Sequence, residues 1–228
     1  MTQILDAHPS VVVAHCKELE KFLFLMYDEG YPKAAYRLSA NNIGGNPEQD
    51  SVSPEGTLIT EICEELDPNH KNTKCGKVVN WAQDEEIRAV RNSILGRVEP
   101  YKDFLVRQTG VIPGGNSPYT AIYSTFYLRV PSEIIECVQR NIGKKKEMTT
   151  EGFFGIFSLE ELTHHERGEF STAHASAPIL NYMFGSRIPH PRQISAEPVG
   201  NVRRAYKDYL GDFEYNNKNL AAATQAKL

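Results

Sequence analysis

The chain has 228 residues, of which 40% are hydrophobic and 24% charged, with a formal net charge of −4. That suits one domain with a real apolar core, and it excludes a low-complexity or disulfide-dependent chain. No apolar run approaches the ~20 residues of a membrane-spanning helix, the longest being "FLFLMY" at 22–27. The start "MTQILDAHPSVVV" lacks the basic opening and unbroken apolar stretch of a signal peptide. The expectation is a protein that stays where it is made, cytoplasmic or within an assembled particle, with no membrane partner.

Ser10 precedes a run in which Val12, Cys16, Leu19, Leu23 and Met26 recur at helical spacing before Gly30. This predicts a helix over 10–29. "PKAAYRLSA" (32–40), with Pro at a first-turn position, predicts a short helix. "NNIGGNPEQDSVSPEG" (41–56) has no periodicity and predicts a long loop. A helix follows over 54–66, with Leu58, Ile59, Ile62 and Leu66 on one side, and "DPNHKNTKCG" (67–76) predicts a turn.

"KVVNWAQDEEIRAVRNSILG" (77–96) carries the clearest apolar stripe, closed by Gly96. "VEPYKDFLVRQTG" (98–110) repeats the plan of early Pro and final Gly. "VIPGGNSP" (111–118) is a second Gly/Pro loop. "YTAIYSTFYLRV" (119–130) has strand-like composition but helical length and start, and is assigned to helix. "PSEIIECVQRNIG" (131–143) is helical, and "KKKEMTTEG" (144–152) is an exposed basic turn.

The last third holds helical patterns at 158–168, 170–185 and 201–212, separated by a Pro/Arg loop at 186–200. The architecture these patterns predict is mainly α: a single globular helical domain over 1–213, eight or nine short helices with long Gly/Pro loops, and a flexible C-terminal tail over 214–228.

Candidate chemistry centres on "LEELTHHERGEFSTAHAS" (159–176). A zinc peptidase needs His-Glu-x-x-His on one helix. Here Glu169 stands where the second His belongs, and Gly168 interrupts. Glu161-x-x-His164 resembles one half of a di-iron set, without the second half. Helix electrostatics account for the same residues. Ser158 and Glu161 form a capping box, acids fill the first turn, and His164, His165 and Arg167 fill the last. A metal- or His-dependent hydrolase built on Glu161, His164, His165 and His174 is the rival reading.

Cys63, His70 and Cys75 lack knuckle spacing and a fourth ligand. "NIGGN" and "PGGNSP" read as turns, because neither lies between a predicted strand and helix as a phosphate cradle requires. No metal and no cofactor is therefore assigned, and no catalytic residue.

Charge is uneven: residues 1–86 carry 7 Lys/Arg against 15 Asp/Glu, and residues 87–228 carry 18 against 14. Arg140, Lys144, Lys145 and Lys146 form one basic cluster, and Arg187, Arg192, Arg203, Arg204 and Lys207 a second, interleaved with tyrosines. Cations neutralise phosphates and aromatics stack on unpaired bases. With catalytic motifs absent, these nine residues point to a non-enzymatic, self-assembling nucleic-acid-binding structural protein. It would be coat- or nucleocapsid-like, a virion component, with partners itself and single-stranded RNA or DNA. A helical protein-interaction module is the other alternative.

Overall fold

The computed structural model describes residues 2–48, 51–65, 92, 93, 95, 97–142, 152–164 and 171–216; the side chains of 141, 142 and 152 are likewise outside the description. Among the described residues the chain is built mainly of strands, ten of them against four α-helices. The mainly α expectation of eight or nine helices is thereby overturned.

The elements in order are β1 (Gln3–Leu5), β2 (Ser10–Cys16), β3 (Lys21–Tyr27), β4 (Ala40–Asn41), β5 (Ile43–Gly45), α1 (Pro54–Glu65), β6 (Val98–Gln108), β7 (Tyr119–Arg129), α2 (Ser132–Ile142), β8 (Gly152–Phe157), α3 (Leu159–Thr163), α4 (Ser176–Phe184), β9 (Ile194–Gly200) and β10 (Phe213–Tyr215). Eight strands form one mixed sheet in the order β4-β3-β2-β7-β6-β9, with β5 pairing β2 and β8 pairing β3. The β2–β7 pair is parallel and the other pairs of that sheet are antiparallel. β1 and β10 make a separate parallel pair.

Alternation explains both the sheet and its disguise. Val12, Ala14, Cys16, Leu23 and Leu25 face one core with Leu58 and Ile62 of α1 and Ile135 and Val138 of α2. Val13, Phe22, Phe24 and Met26 face a second core with Phe104, Leu162 of α3, and Ile179 and Leu180 of α4. Strands buried on both faces read as continuous apolar runs, and such a run matches a helical template by chance. The helix expected over 10–29 is therefore a β2–β3 hairpin. It turns at Glu20, which has φ 52°, and the supposed core residue Leu19 is exposed there.

The other corrections follow similar logic. Pro100 is no helix start; it sits at a register shift where β6 slips against β7, a place where a strand tolerates proline. In 119–130 the β-branched and aromatic composition prevails, and the segment is β7. Part of the Pro/Arg loop is β9, the exposed edge of the sheet, and 201–212 contains only a 3-10 turn at Tyr206–Tyr209. In 32–40 only Ala34–Tyr36 is helical, also 3-10.

α1 and α2 form where the apolar stripe predicts helix. Of the helix expected over 77–96, residues 92, 93 and 95 are helical and the rest lies outside the described residues. Glu214 and Tyr215, at the start of the expected tail, belong to β10, while 217–228 lie outside the description.

Candidate functional site

Loops and strand ends converge on a cavity of about 660 Å³. Its walls come from the ends of β3 and β5, the 111–118 loop, the start of β7, α1 and the turn before α4. The lining includes Glu61 and Glu65 of α1, one helical turn apart, and Glu48 from the preceding loop. It also includes a second group, Tyr27, Tyr31, Lys33, Asn41, Asn116 and His174.

His174 anchors the second group. Its φ of 50° is the left-handed region, which costs a non-glycine residue about 1 kcal/mol. Asn116 Nδ2 donates to its Nδ1 at 3.0 Å, because the Asn116 Oδ1 accepts from Lys33 Nζ. The proton of the neutral ring then sits on Nε2, which meets the Tyr27 hydroxyl at 3.3 Å. Asn41 Nδ2 donates to the same hydroxyl at 2.8 Å, and Ser176 at the head of α4 donates to Asn41 Oδ1 at 3.0 Å. Burial, aided by the Lys33 charge, pushes the His174 pKa down to about 3, so the ring is neutral across the physiological range. The Tyr27 and Tyr31 rings stack at 3.8 Å.

Local sequence places these groups. Gln108 Nε2 donates to the carbonyls of Gly110 and Asn116, both at 2.7 Å, which folds the 111–118 loop back and fixes Asn116. Two adjacent glycines leave room here, one for the sheet and one for α1. A Cβ on Gly44, whose φ is 133°, would lie 2.1 Å from the Ser10 carbonyl oxygen, so the sheet itself needs glycine there. A Cβ on Gly45 would lie 2.4 Å from the Glu61 carboxylate, so Glu61 rests on bare backbone. "NIGGN" thus closes a strand and leads to a helix, contrary to the turn reading that rested on the lack of that context.

The residues expected to bind nucleic acid come from separate segments of the chain. Arg140 is exposed near the end of α2, and Lys144, Lys145 and Lys146 lie outside the described residues. Arg187 and Arg192 are exposed between α4 and β9, and Arg204 and Lys207 are exposed farther on. Arg203 is committed internally: it bonds the Asp208 carbonyl and Asp212, and its guanidinium lies 4.6 Å over the Tyr209 ring.

The His/Glu cluster divides. Ser158 and Glu161 form the capping box that their spacing predicts, Glu161 pairs with Lys21 at 2.7 Å, and His164 caps a helix that ends at Thr163. His165 lies outside the described residues, and so do His70 and Cys75 of the Cys63 cluster. Among the described residues of the rival set, only His174 lines the cavity. Among the described residues no three His, Cys, Asp or Glu side chains form a ready-made metal cage.

Sequence reasoning missed Lys33, Asn41, Glu48, Glu61, Glu65 and Asn116. The one available signal was a pair of glutamates four apart on a helix that follows a Gly-Gly loop.

A second cavity of about 750 Å³ is bordered by Glu18, Arg97, Glu99, Tyr127 and Arg129. There Arg129 is already paired with the exposed Glu18 at 2.5 Å, leaving a surface ion pair rather than a convergent site.

No protein-family model matches the chain, and no curated protein matches it. Among solved structures it is similar to a MutT/nudix family protein from Enterococcus faecalis, with 17% identity over 55% of this chain and a TM-score of 0.31. The match spans 37% of that protein's length. Nothing in the fold or in these comparisons bears on a coat-like function; what the structure overturns is the all-α architecture. No helix among the described residues is long and apolar enough to cross a membrane.

Proposed function

We propose that the cavity binds a nucleotide-class small molecule together with a divalent cation, and hydrolyses a phosphoanhydride bond in it. The observation that carries this reading is the lining of one cavity, which brings together the carboxylates of Glu48, Glu61 and Glu65, the Lys33 ammonium and the Tyr27–Tyr31 stack.

Magnesium keeps several waters and uses one or two carboxylates plus the phosphates of its substrate, so a ready-made three-ligand cage is not required. Glu61 and Glu65 would supply those carboxylates and Lys33 a phosphate contact, while a planar ring would lie against the tyrosines. Water would attack phosphorus, the bridging P–O bond would break, and a carboxylate would take the water's proton. His174, neutral and already bonded through both ring nitrogens, would orient Tyr27 and Asn116 rather than exchange protons.

Incubation of the purified chain with nucleoside triphosphates and Mg²⁺ tests this. The expected result is Mg²⁺-dependent phosphate or pyrophosphate release that Glu61→Gln lowers by about a hundredfold or more. Gly45→Ala, which displaces the Glu61 carboxylate, should lower it while leaving the melting temperature nearly unchanged. Absence of both nucleotide binding and turnover at millimolar nucleotide and Mg²⁺ rejects the reading.

Binding of single-stranded RNA or DNA through the exposed Arg187, Arg192, Arg204 and Lys207 stays a proposal resting on charge. Its test is affinity against salt, with a log–log slope of about −0.7 per neutralised phosphate.

A further inference from the structure

We infer that Tyr206, remote in sequence and outside the cavity lining, is a positioning residue that sets the roll of α1 and so aims Glu61 into the cavity. The inference rests on the cavity being the functional site, and it concerns the C-terminal segment that reaches back over the sheet.

Tyr206 is fully buried and grips the start of α1 at two points. Its backbone N–H donates to the Val52 carbonyl at 3.1 Å, just before the helix. Its hydroxyl meets Thr57 Oγ1 at 2.9 Å, inside the first turns, and Ser10 Oγ of β2 at 3.4 Å. One phenol therefore ties α1 to the central sheet. Thr57 and Glu61 are four residues apart and share a face of the helix. The apolar contacts of α1, Leu58 and Ile62, slide over a greasy surface and fix its angle less sharply than a directional bond does. A carboxylate about 6 Å from the helix axis moves about 1 Å for a 10° roll, which is enough to misplace a metal ligand. The ring is held in turn by an edge-to-face contact with His8 at 4.9 Å.

The test uses three variants of the full chain. Thr57→Val removes the hydroxyl at nearly constant volume, Thr57→Ser keeps it, and Tyr206→Phe removes the other partner. Two readouts need no cation: the carboxyl ¹³C resonance of Glu61 and amide exchange along 54–65. In Thr57→Val and Tyr206→Phe the Glu61 resonance should shift and α1 amides should exchange about three- to tenfold faster, with β6 and β7 unchanged. Thr57→Ser should restore the wild-type values, and the Val/Phe double variant should go no further than either single one. Mn²⁺ affinity, read by water-proton relaxation, should fall with the same variants.

An unchanged Glu61 resonance in Thr57→Val, a Thr57→Ser variant that behaves like Thr57→Val, or unaltered Mn²⁺ affinity despite a loosened helix would each overturn the positioning role. A wild type that binds no Mn²⁺ rejects the cation site alone, because the Glu61 signal still decides the role of Tyr206.

Discussion

His8 and His174 are both buried enough to have pKa values pushed down to about 3, yet they sit in opposite settings. The His8 Nδ1 faces the Tyr215 hydroxyl at 2.8 Å, and its Nε2 faces Ser124 Oγ at 2.9 Å. Ser124 donates to Asp103 at 2.8 Å, Tyr209 donates to the other Asp103 oxygen at 2.8 Å, and the Arg203 N–H donates to Tyr209 at 2.9 Å. Tyrosine rings close over His8 from two sides. That network joins residues up to 207 positions apart, and His8, Ser124 and Asp103 at its centre are buried. His174 is held just as firmly but on strained backbone, with its edge on a cavity. A buried polar group satisfied within a closed network pins the chain. A satisfied group kept on strained backbone beside open space marks a place where a ligand fits.

Removing each histidine should separate these roles. His8→Ala leaves a hole among Tyr206, Tyr209 and Tyr215 and strips partners from Ser124 and Tyr215. We expect a loss of about 3–5 kcal/mol, read as the urea midpoint. The C-terminal segment should become sensitive to protease first. A loss below about 1 kcal/mol would show that water replaces the ring and that the network does not fasten the segment.

The same contrast shows what the sequence could reveal. α1 was legible because Leu58 and Ile62 are buried on one side while Glu55 and Thr60 are exposed, so the helical period survives in the residue pattern; Ile59, expected on the buried side, is 44% exposed. β2 and β3 were not, since both faces are covered and no period of two remains. The clasp around His8 depends on pairing β1 with β10 across nearly the whole chain, and no local signal encodes that. The cavity gathers residues from Asp6 to His174, each ordinary in its own segment. Basic clusters, by contrast, are contiguous and easy to see; four of the five residues in the second cluster are exposed, and Arg203 is spent on its neighbours.

Asp103 sharpens the comparison by pH. Burial raises its pKa to about 6, against the pull of its hydrogen bonds and Arg203. Between pH 4.5 and 6 the folded chain protonates Asp103 and leaves His8 and His174 neutral; the unfolded chain does the reverse at all three. The folded state thus binds one proton fewer from these groups, and their contribution to stability falls by about 1.4 kcal/mol per pH unit of acidification. Asp103→Asn removes the offsetting proton, so the fall should double to about 2.7 kcal/mol per unit. Above pH 7 the variant should be more stable than wild type, by about 1–3 kcal/mol, because no charge is then buried. Denaturation midpoints from pH 4.5 to 8 check the slope. Equal slopes in both proteins would mean that Asp103 takes up no proton on folding.

The smallest effect on stability is expected at His174, where two contributions oppose. His174→Gly relieves the left-handed strain, a gain of about 1 kcal/mol. It also deletes the bonds to Asn116 and Tyr27. Those partners border a cavity wide enough for water, which can take the vacated places at little cost. The two contributions should cancel to within about 1 kcal/mol, so the melting temperature should barely move. Ligand binding should respond quite differently. Asn116 and Tyr27 would lose the group that fixes their orientation, and affinity for the cavity's ligand should fall about tenfold, the worth of one well-placed hydrogen bond. Calorimetric titration of nucleotide with Mg²⁺, beside a thermal melt of the same sample, measures both. A variant that melts far below wild type would put His174 in the same structural role as His8, and the distinction between a closed clasp and an open site would fail.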